Sequence, residues 1–215
     1  MRSKAQLILK RLIDILVSLV GLLVLTVPFT LVAVVIKLDS KGPVFFRQER
    51  VGKDRRSFKV WKFRTMVVGA VQKGLGYNVA NDDSRITRVG AVLRNWGLDE
   101  LPQLINVLVG EMNLVGPRPT LRYQVEHYNA FQRRRLQVNP GITSLAVVSG
   151  RNVLSWKERI ELDVWYVEHW SLWLDIKILF KTLWTVLVTH EGLYGKDGVN
   201  DPFVAPPGEG THREE

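Results

Sequence analysis

The chain has 215 residues, no cysteine and a net charge of +9. That length suits one globular domain with a core and some extras, and the missing cysteine excludes a disulfide scaffold, a thiolate metal site and a cysteine nucleophile. From Lys37 to Arg94 there are fourteen Lys or Arg against five Asp or Glu. Such a field attracts anions, whether nucleic acid, acidic lipid headgroups or phosphorylated small molecules.

The first predicted element is apolar. Ile15 to Ile36 are 22 consecutive positions without a charge, long enough to span a bilayer as a straight helix. Pro28 lies inside this run, removes one helical hydrogen bond and crowds the preceding turn, so a break is expected there. The 13 residues from Ile15 to Val27 make about 20 Å of helix, short of the roughly 30 Å hydrocarbon core. Basic residues flank both ends, Lys4, Lys10 and Arg11 before and Lys37 and Lys41 after. The positive-inside tendency then places both ends on the cytoplasmic face. A re-entrant helix broken at Pro28 meets both conditions, with Thr26 and Thr30 placed to bond backbone groups beside the break. An ordinary span and a buried soluble helix are the alternatives.

Residues 42–66, "GPVFFRQERVGKDRRSFKVWKFRTM", read as two short strands joined by a turn, with partial alternation at Phe58, Val60 and Phe63. Arg47, Arg50, Lys59, Lys62 and Arg64 decorate them. Interleaved aromatic and basic residues suit a nucleic-acid surface, and a basic face beside anionic lipid explains them equally well. In "DDSRITRVGAVLRNWG", Ile86, Val89, Val92 and Leu93 share one helical face, and Arg94 ends that helix.

Five residues later come Asp99 and Glu100, followed by Leu101, Leu104, Ile105 and Leu108 at helical spacing. Two adjacent carboxylates and Pro102 fit the first turn of a helix, where free N–H groups favour anions. They fit equally an acidic pair at an anion site with Arg94 brought near by the turn. Gly116-Pro117-Arg118-Pro119 fixes the backbone on both sides of one arginine. This is either a rigid turn or a preorganised guanidinium for a phosphate. "VNPGIT" at 138–143 reads as another turn. Ser155 and Glu158 form a capping box that opens a helix to about His169. A second helix is expected from about Ser171 to Thr189. Five of the seven tryptophans, Trp156, Trp165, Trp170, Trp173 and Trp184, fall here, as membrane-interface or core residues. The tail from Gly192 is rich in Gly and Pro and reads as a surface extension. No Walker loop, GxGxxG or Ser-His-Asp arrangement is present, and the histidines show no metal-ligand spacing.

Taken in order, "FRQERVGKDRRSFKVWKFRTM", "DSRITRVG", "LDELPQLINVLVGEMNLVGPRP", "NPGIT" and "SGRN" resemble the bacterial sugar transferase family, the small monotopic phosphoglycosyl transferases. The resemblance runs from "LKRLIDILVSLVGLLVL" to about Thr189. It implies a mainly helical α+β fold: a re-entrant membrane helix in residues 1–40, a catalytic domain with a short β-hairpin and interfacial helices in 41–190, and a tail in 191–215. It also implies a bacterial cytoplasmic-membrane location with the catalytic domain on the cytoplasmic face. The implied reaction moves a sugar-1-phosphate from a nucleotide-sugar, usually UDP-linked, to a polyprenyl phosphate, releasing UMP. By the same resemblance Asp99 is the nucleophile and Glu100 its partner, both near Mg²⁺. Arg94, Arg118, Lys62 and Arg64 are the phosphate-binding candidates, and nucleic acid is not a partner. The chain departs from the family pattern at Val27 and Gly97, where Ser is common, and at Ser144, Ala146 and Val147 after "PGIT", where the family continues with Gly and then Trp-Gln. Two rival readings keep the same features, a membrane-tethered nucleic-acid-binding module and a lipid-phosphate hydrolase with water as acceptor.

Overall fold

The computed structural model describes residues 3–72, 83–150 and 153–186. The tail and the Arg151-Asn152 pair of "SGRN" lie outside the described residues, as does the last turn of the expected C-terminal helix.

Two helices open the chain, α1 (Lys4–Val24) and α2 (Thr26–Asp39), bent by 59° relative to each other. No single described helix is long and apolar enough to cross a membrane, and this bent pair passes that test only together. The interruption falls at Leu25, three residues before Pro28, and Pro28 sits in the first turn of α2. A missing N–H is tolerated in a first turn, and the carbonyl it leaves unpaired in an α-helix is four residues back, at Val24, where α1 ends. The hydroxyls of Thr26 and Thr30 donate to the carbonyls of Leu22 and Thr26, both at 2.9 Å.

The hairpin forms as expected. Strand β1 (Phe45–Val51) pairs antiparallel with β2 (Ser57–Phe63), with Phe45 opposite Phe63 and Val51 opposite Ser57. Then come α3 (Arg88–Asn95), a 3-10 turn at Leu98–Gln103, and α4 (Leu104–Val109). The helix read from Asp99 onward is thus shorter than its apolar spacing implied. Pro102 cannot donate to the carbonyl of Leu98, so the α-helical ladder begins only at Leu104. Beyond α4 lie β3 (Asn113–Val115), α5 (Arg122–Glu126), α6 (Ala130–Arg133) and β4 (Gly141–Thr143). "NPGIT" is therefore not only a turn: its last three residues form β4, parallel to β3. Helices α7 (Leu145–Ser149), α8 (Trp156–His169) and α9 (Leu172–Trp184) complete the described chain. The capping box at α8 is present, with Glu158 accepting from the Ser155 N–H at 2.8 Å.

The main core gathers Phe58, Val60, Val107, Met112, Val115, Tyr166 and Ile178. Full burial of such side chains contributes about 1.5–3 kcal/mol each. A second cluster holds Val51, Leu136 and Val164, and a third joins Ile36 of α2 to Phe63 and Leu93. The bent pair is docked along the domain. Lys10 binds Asp175 at 2.5 Å and donates to the Val115 carbonyl, while Arg11 donates to the carbonyls of Val107 and Leu108. At the far end Asp39 accepts from the N–H of Val89. The outer face of the pair stays apolar and exposed, at Leu16, Leu23, Val27, Leu31 and Leu38 among others. Of the C-terminal tryptophans, Trp173 and Trp184 are more than half exposed, whereas Trp170 donates to Asp175 at 3.0 Å.

Candidate active site

Gly97 adopts φ +65°, the left-handed region that glycine enters without strain. This turn sharply reverses the chain after α3 and starts the 3-10 turn carrying Asp99 and Glu100. The turn packs along β2, so Lys62 on that strand reaches Glu100 at 2.7 Å. From the other side Arg118 forks onto Glu100, at 2.6 Å to Oε1 and 3.2 Å to Oε2. Three residue groups remote in sequence therefore meet at one carboxylate.

Asp99 and Glu100 differ in what they touch. Glu100 is saturated with cationic donors, and despite burial Arg118 and Lys62 hold its carboxyl well below the usual range. Among the described residues the Asp99 carboxylate accepts no hydrogen bond. Burial raises its pKa, with Glu100 adding to the rise and Lys62, Arg94 and Arg118 opposing it. Burial pushes the Lys62 ammonium below its ordinary value, chiefly against the pull of Glu100. Arg118, half exposed, is pushed above its ordinary value by Glu100.

Arg94 donates from Nε to the Thr65 hydroxyl at 2.8 Å, and its charge reaches Asp99. Arg64 does not join this group. It is buried at the end of α2, where Nη2 donates to the Ser40 carbonyl and hydroxyl at 2.7 and 2.8 Å. Arg64 lies one residue past β2, so its side chain caps a helix end where Lys62, still on the strand, faces the dyad. The structure thus brings Lys62 and Arg118 onto Glu100 beside Asp99, keeps Arg94 within electrostatic reach of Asp99, and leaves out Arg64.

Two contributors were not singled out from sequence. Thr65 holds Arg94. Asn106, fully buried, accepts from the N–H of Trp61 at 2.9 Å and donates to the Lys59 carbonyl and to Glu111. It locks α4 to β2 and so sets the approach of Lys62 to the turn. Its signal in sequence was one amide inside the apolar run "LINVLV".

The loop carrying Arg118 is set by the pairing of β3 with β4. A Cβ on Gly116 would lie 2.5 Å from the Asn139 carbonyl oxygen, and one on Gly141 would lie 2.1 Å from the N of Gly116. Only glycines allow the two motifs to touch.

This arrangement sits in a chain whose residues 5–189 match the profile of the bacterial sugar transferases. The chain belongs to the bacterial sugar transferase family. It is 44% identical over 183 residues to the uncharacterized sugar transferase EpsL of Bacillus subtilis, covering 85% of this chain and 89% of that protein. It is 38% identical to the exopolysaccharide production protein ExoY of Sinorhizobium fredii, covering 84% of this chain and 86% of that one. It is 42% identical to the UDP-glucose:undecaprenyl-phosphate glucose-1-phosphate transferase of Klebsiella pneumoniae. That match covers 82% of this chain but only 39% of the longer relative. The chain is accordingly an enzyme, a phosphoglycosyl transferase.

Proposed function

We propose that the enzyme transfers a sugar-1-phosphate from a UDP-sugar to a polyprenyl phosphate, with Asp99 as nucleophile and UMP as the first product. The reading draws its substrates from the relatives, one of which is named for UDP-glucose and undecaprenyl phosphate. The observation that carries the mechanism is the asymmetry of the dyad: Glu100 is bound on both oxygens by Lys62 and Arg118, whereas Asp99 is left without a hydrogen bond among the described residues.

A free carboxylate beside clustered cations suits in-line attack on phosphorus. An Asp99 oxygen bonds to the sugar-bearing phosphorus, and the bond from that phosphorus to the UMP oxygen breaks. An oxygen of the polyprenyl phosphate then attacks the same phosphorus and releases the Asp99 carboxylate. Neither step needs a proton. Arg118, Arg94 and Lys62 hold the phosphate oxygens and offset the repulsion between anions. Carboxylates form such phosphoryl intermediates elsewhere.

A magnesium ion fits this donor set in a limited way. Among the described residues no three His, Asp or Glu side chains gather as a metal cluster. Mg²⁺ commonly takes one or two carboxylates and completes its shell with water and substrate phosphates. Asp99 would hold it, Glu100 being engaged by cations, and the ion would supply charge neutralisation at the phosphates.

The membrane reading rests on the exposed apolar face of α1 and α2 and on the lipid-carrier substrates of the relatives. Both ends of the pair dock on one domain, which supports a shared side of the membrane, and the basic flanks make the cytoplasmic face of the bacterial membrane our reading of that side. Of the basic hairpin residues, Lys62, Arg64 and Arg50 have partners inside the protein and Arg47 stacks on Trp61 at 4.3 Å, so these four are already engaged.

Incubation with UDP-sugar and Mg²⁺ but no lipid acceptor should release UMP up to one equivalent and leave a phosphosugar mass on Asp99. Asp99→Asn should abolish both. Asn has nearly the shape of Asp but is a poor nucleophile, so near-normal activity in that variant would return the dyad to a structural role. Continuous release of free sugar phosphate without acceptor would instead identify a hydrolase.

A further inference from the structure

The peptide that carries Arg118 is held from beneath, carbonyl by carbonyl. The Pro117 oxygen accepts from the N–H of Gly141 at 2.9 Å, and the Thr120 oxygen accepts from the N–H of Val51 at 2.8 Å. The Pro119 oxygen accepts from Arg50 at 3.4 Å. The Arg118 oxygen itself accepts from Nη2 of Arg135 at 2.9 Å. Prolines at 117 and 119 have no N–H with which to anchor the loop, so beyond the Gly116 N–H, which donates to Thr143 at 3.0 Å, the loop is held through its carbonyls.

Arg135 is an unusual handle because it is a buried charge. Its side chain is 3% exposed and that of its partner Asp163, on α8, is 2% exposed. Nη2 donates to Asp163 Oδ2 as well as to the Arg118 carbonyl, and Nη1 donates to the Tyr128 hydroxyl at 2.7 Å. One guanidinium thereby joins three separate parts of the chain. Burying such a pair carries a desolvation cost that apolar side chains of similar volume would avoid. Stability is therefore a weak reason for its presence, and the group it grips is the backbone of the residue that clamps Glu100.

We propose that Arg135, fixed by Asp163 and Tyr128, is a positioning residue for the phosphate clamp: it sets the Arg118 peptide so that the guanidinium is aimed into the dyad. The role builds on the transferase reading above. Arg135 touches no substrate and acts only through Arg118. Loss of the grip lets the Pro117–Pro119 loop rotate about its flanking anchors, and the fork onto Glu100 loosens.

The test replaces the whole pair, Arg135→Met with Asp163→Leu, which removes both buried charges and avoids an orphaned carboxylate. Full-length protein in detergent or nanodiscs is used, and thermal unfolding confirms a folded variant. The first readout needs no substrate: the rate at which phenylglyoxal labels Arg118, followed by peptide mass spectrometry. The pair variant should label Arg118 several-fold faster than wild type, and an unchanged rate in a folded variant overturns the proposal. The second readout is UMP release from UDP-sugar in two backgrounds. In the otherwise wild-type enzyme the pair variant should lower kcat by about tenfold, the size expected for a misplaced charged hydrogen bond. In an Arg118→Ala background the same pair change should cost less than about twofold, because residues acting as a unit are non-additive. Equal losses in both backgrounds would make the pair a general structural element and overturn the proposal. Absence of UMP release from wild type would count against the transferase reading alone, and the labelling result would still decide the role of Arg135.

Discussion

Adjacent carboxylates divide their work only if their surroundings differ, and here the difference is set by two cations on one of them. Lys62 and Arg118 both close on Glu100, so Glu100 is the anchor of the cationic group and Asp99 is the free oxygen donor. Arg118→Lys should retain the charge but lose the fork, and kcat should fall by about tenfold or more in a UMP-release assay. The same electrostatics fix a pH dependence. Asp99 has its pKa raised by burial and is pulled back down by Lys62. As the nucleophile must be ionised, the acid limb of UMP release should follow the ionisation of this group. Lys62→Met removes the downward pull, so the acid limb should move to still higher pH. A limb that stays in place or moves lower would detach Lys62 from Asp99. For stability the sign at Glu100 is the usual carboxylate one. Its folded pKa is lowered, so its contribution is present above the unfolded value near 4.5 and is lost as pH falls below it. Glu100→Gln should accordingly flatten the dependence of the unfolding midpoint on pH in the acid range.

At the scale of elements, the sequence was most legible where the signal is local. Ser155 and Glu158 lie three residues apart and announced α8 to its first residue. The alternation at Phe58, Val60 and Phe63 announced β2. The family resemblance points to Lys62, Arg94 and Arg118, and the structure brings Lys62 and Arg118 onto Glu100 and leaves Arg94 within electrostatic reach of Asp99. What sequence hid is non-local. Strand β4 has three residues and gains its partner only when Gly116 and Gly141 approach within a Cβ's width. Arg64 follows Lys62 by two positions in one basic motif, yet the strand ends between them and Arg64 turns to Ser40. Two backbone predictions belong here. Gly97→Ala places a Cβ at φ +65°, a conformation costing about 1–2 kcal/mol for an ordinary residue. The unfolding midpoint and UMP release should both fall, and Gly97→Asn should be milder because Asn tolerates this region. Pro28→Ala restores the donor that faces Val24 and removes the ring from the preceding turn. Spin labels at Leu12 and Leu38, both exposed, should then move apart as the bend of 59° opens. An unchanged distance would assign the break to packing of Leu22 and Leu25 on the core rather than to the proline.

At the scale of the whole molecule the question is which side of the membrane each end of the bent pair occupies. Helix α1 has 21 residues and α2 has 14, about 31 Å and 21 Å at 1.5 Å per residue. A deflection of 59° lets one arm descend and the other climb back to the same level at a depth of about 12 Å, within one leaflet of a roughly 30 Å core. Docking points the same way. Lys10 and Arg11 near the start of the pair bond to Asp175, Val107 and Leu108, and Asp39 and Ser40 near its end bond to Val89 and Arg64. A spanning arrangement would have to break one of these sets, at the cost of leaving buried charges unpaired. Single cysteines at Ser3 and Lys41, in a chain that has none of its own, should therefore react with a membrane-impermeant maleimide from the same side of sealed vesicles. That side should be the cytoplasmic one, because Lys4, Lys10, Arg11, Lys37 and Lys41 sit at the two flanks. Reaction of the two sites from opposite faces would reject the re-entrant arrangement. It would also require the Lys10–Asp175 and Asp39–Val89 contacts not to coexist in the membrane, and a disulfide or cross-link engineered across both ends would then form at only one of them.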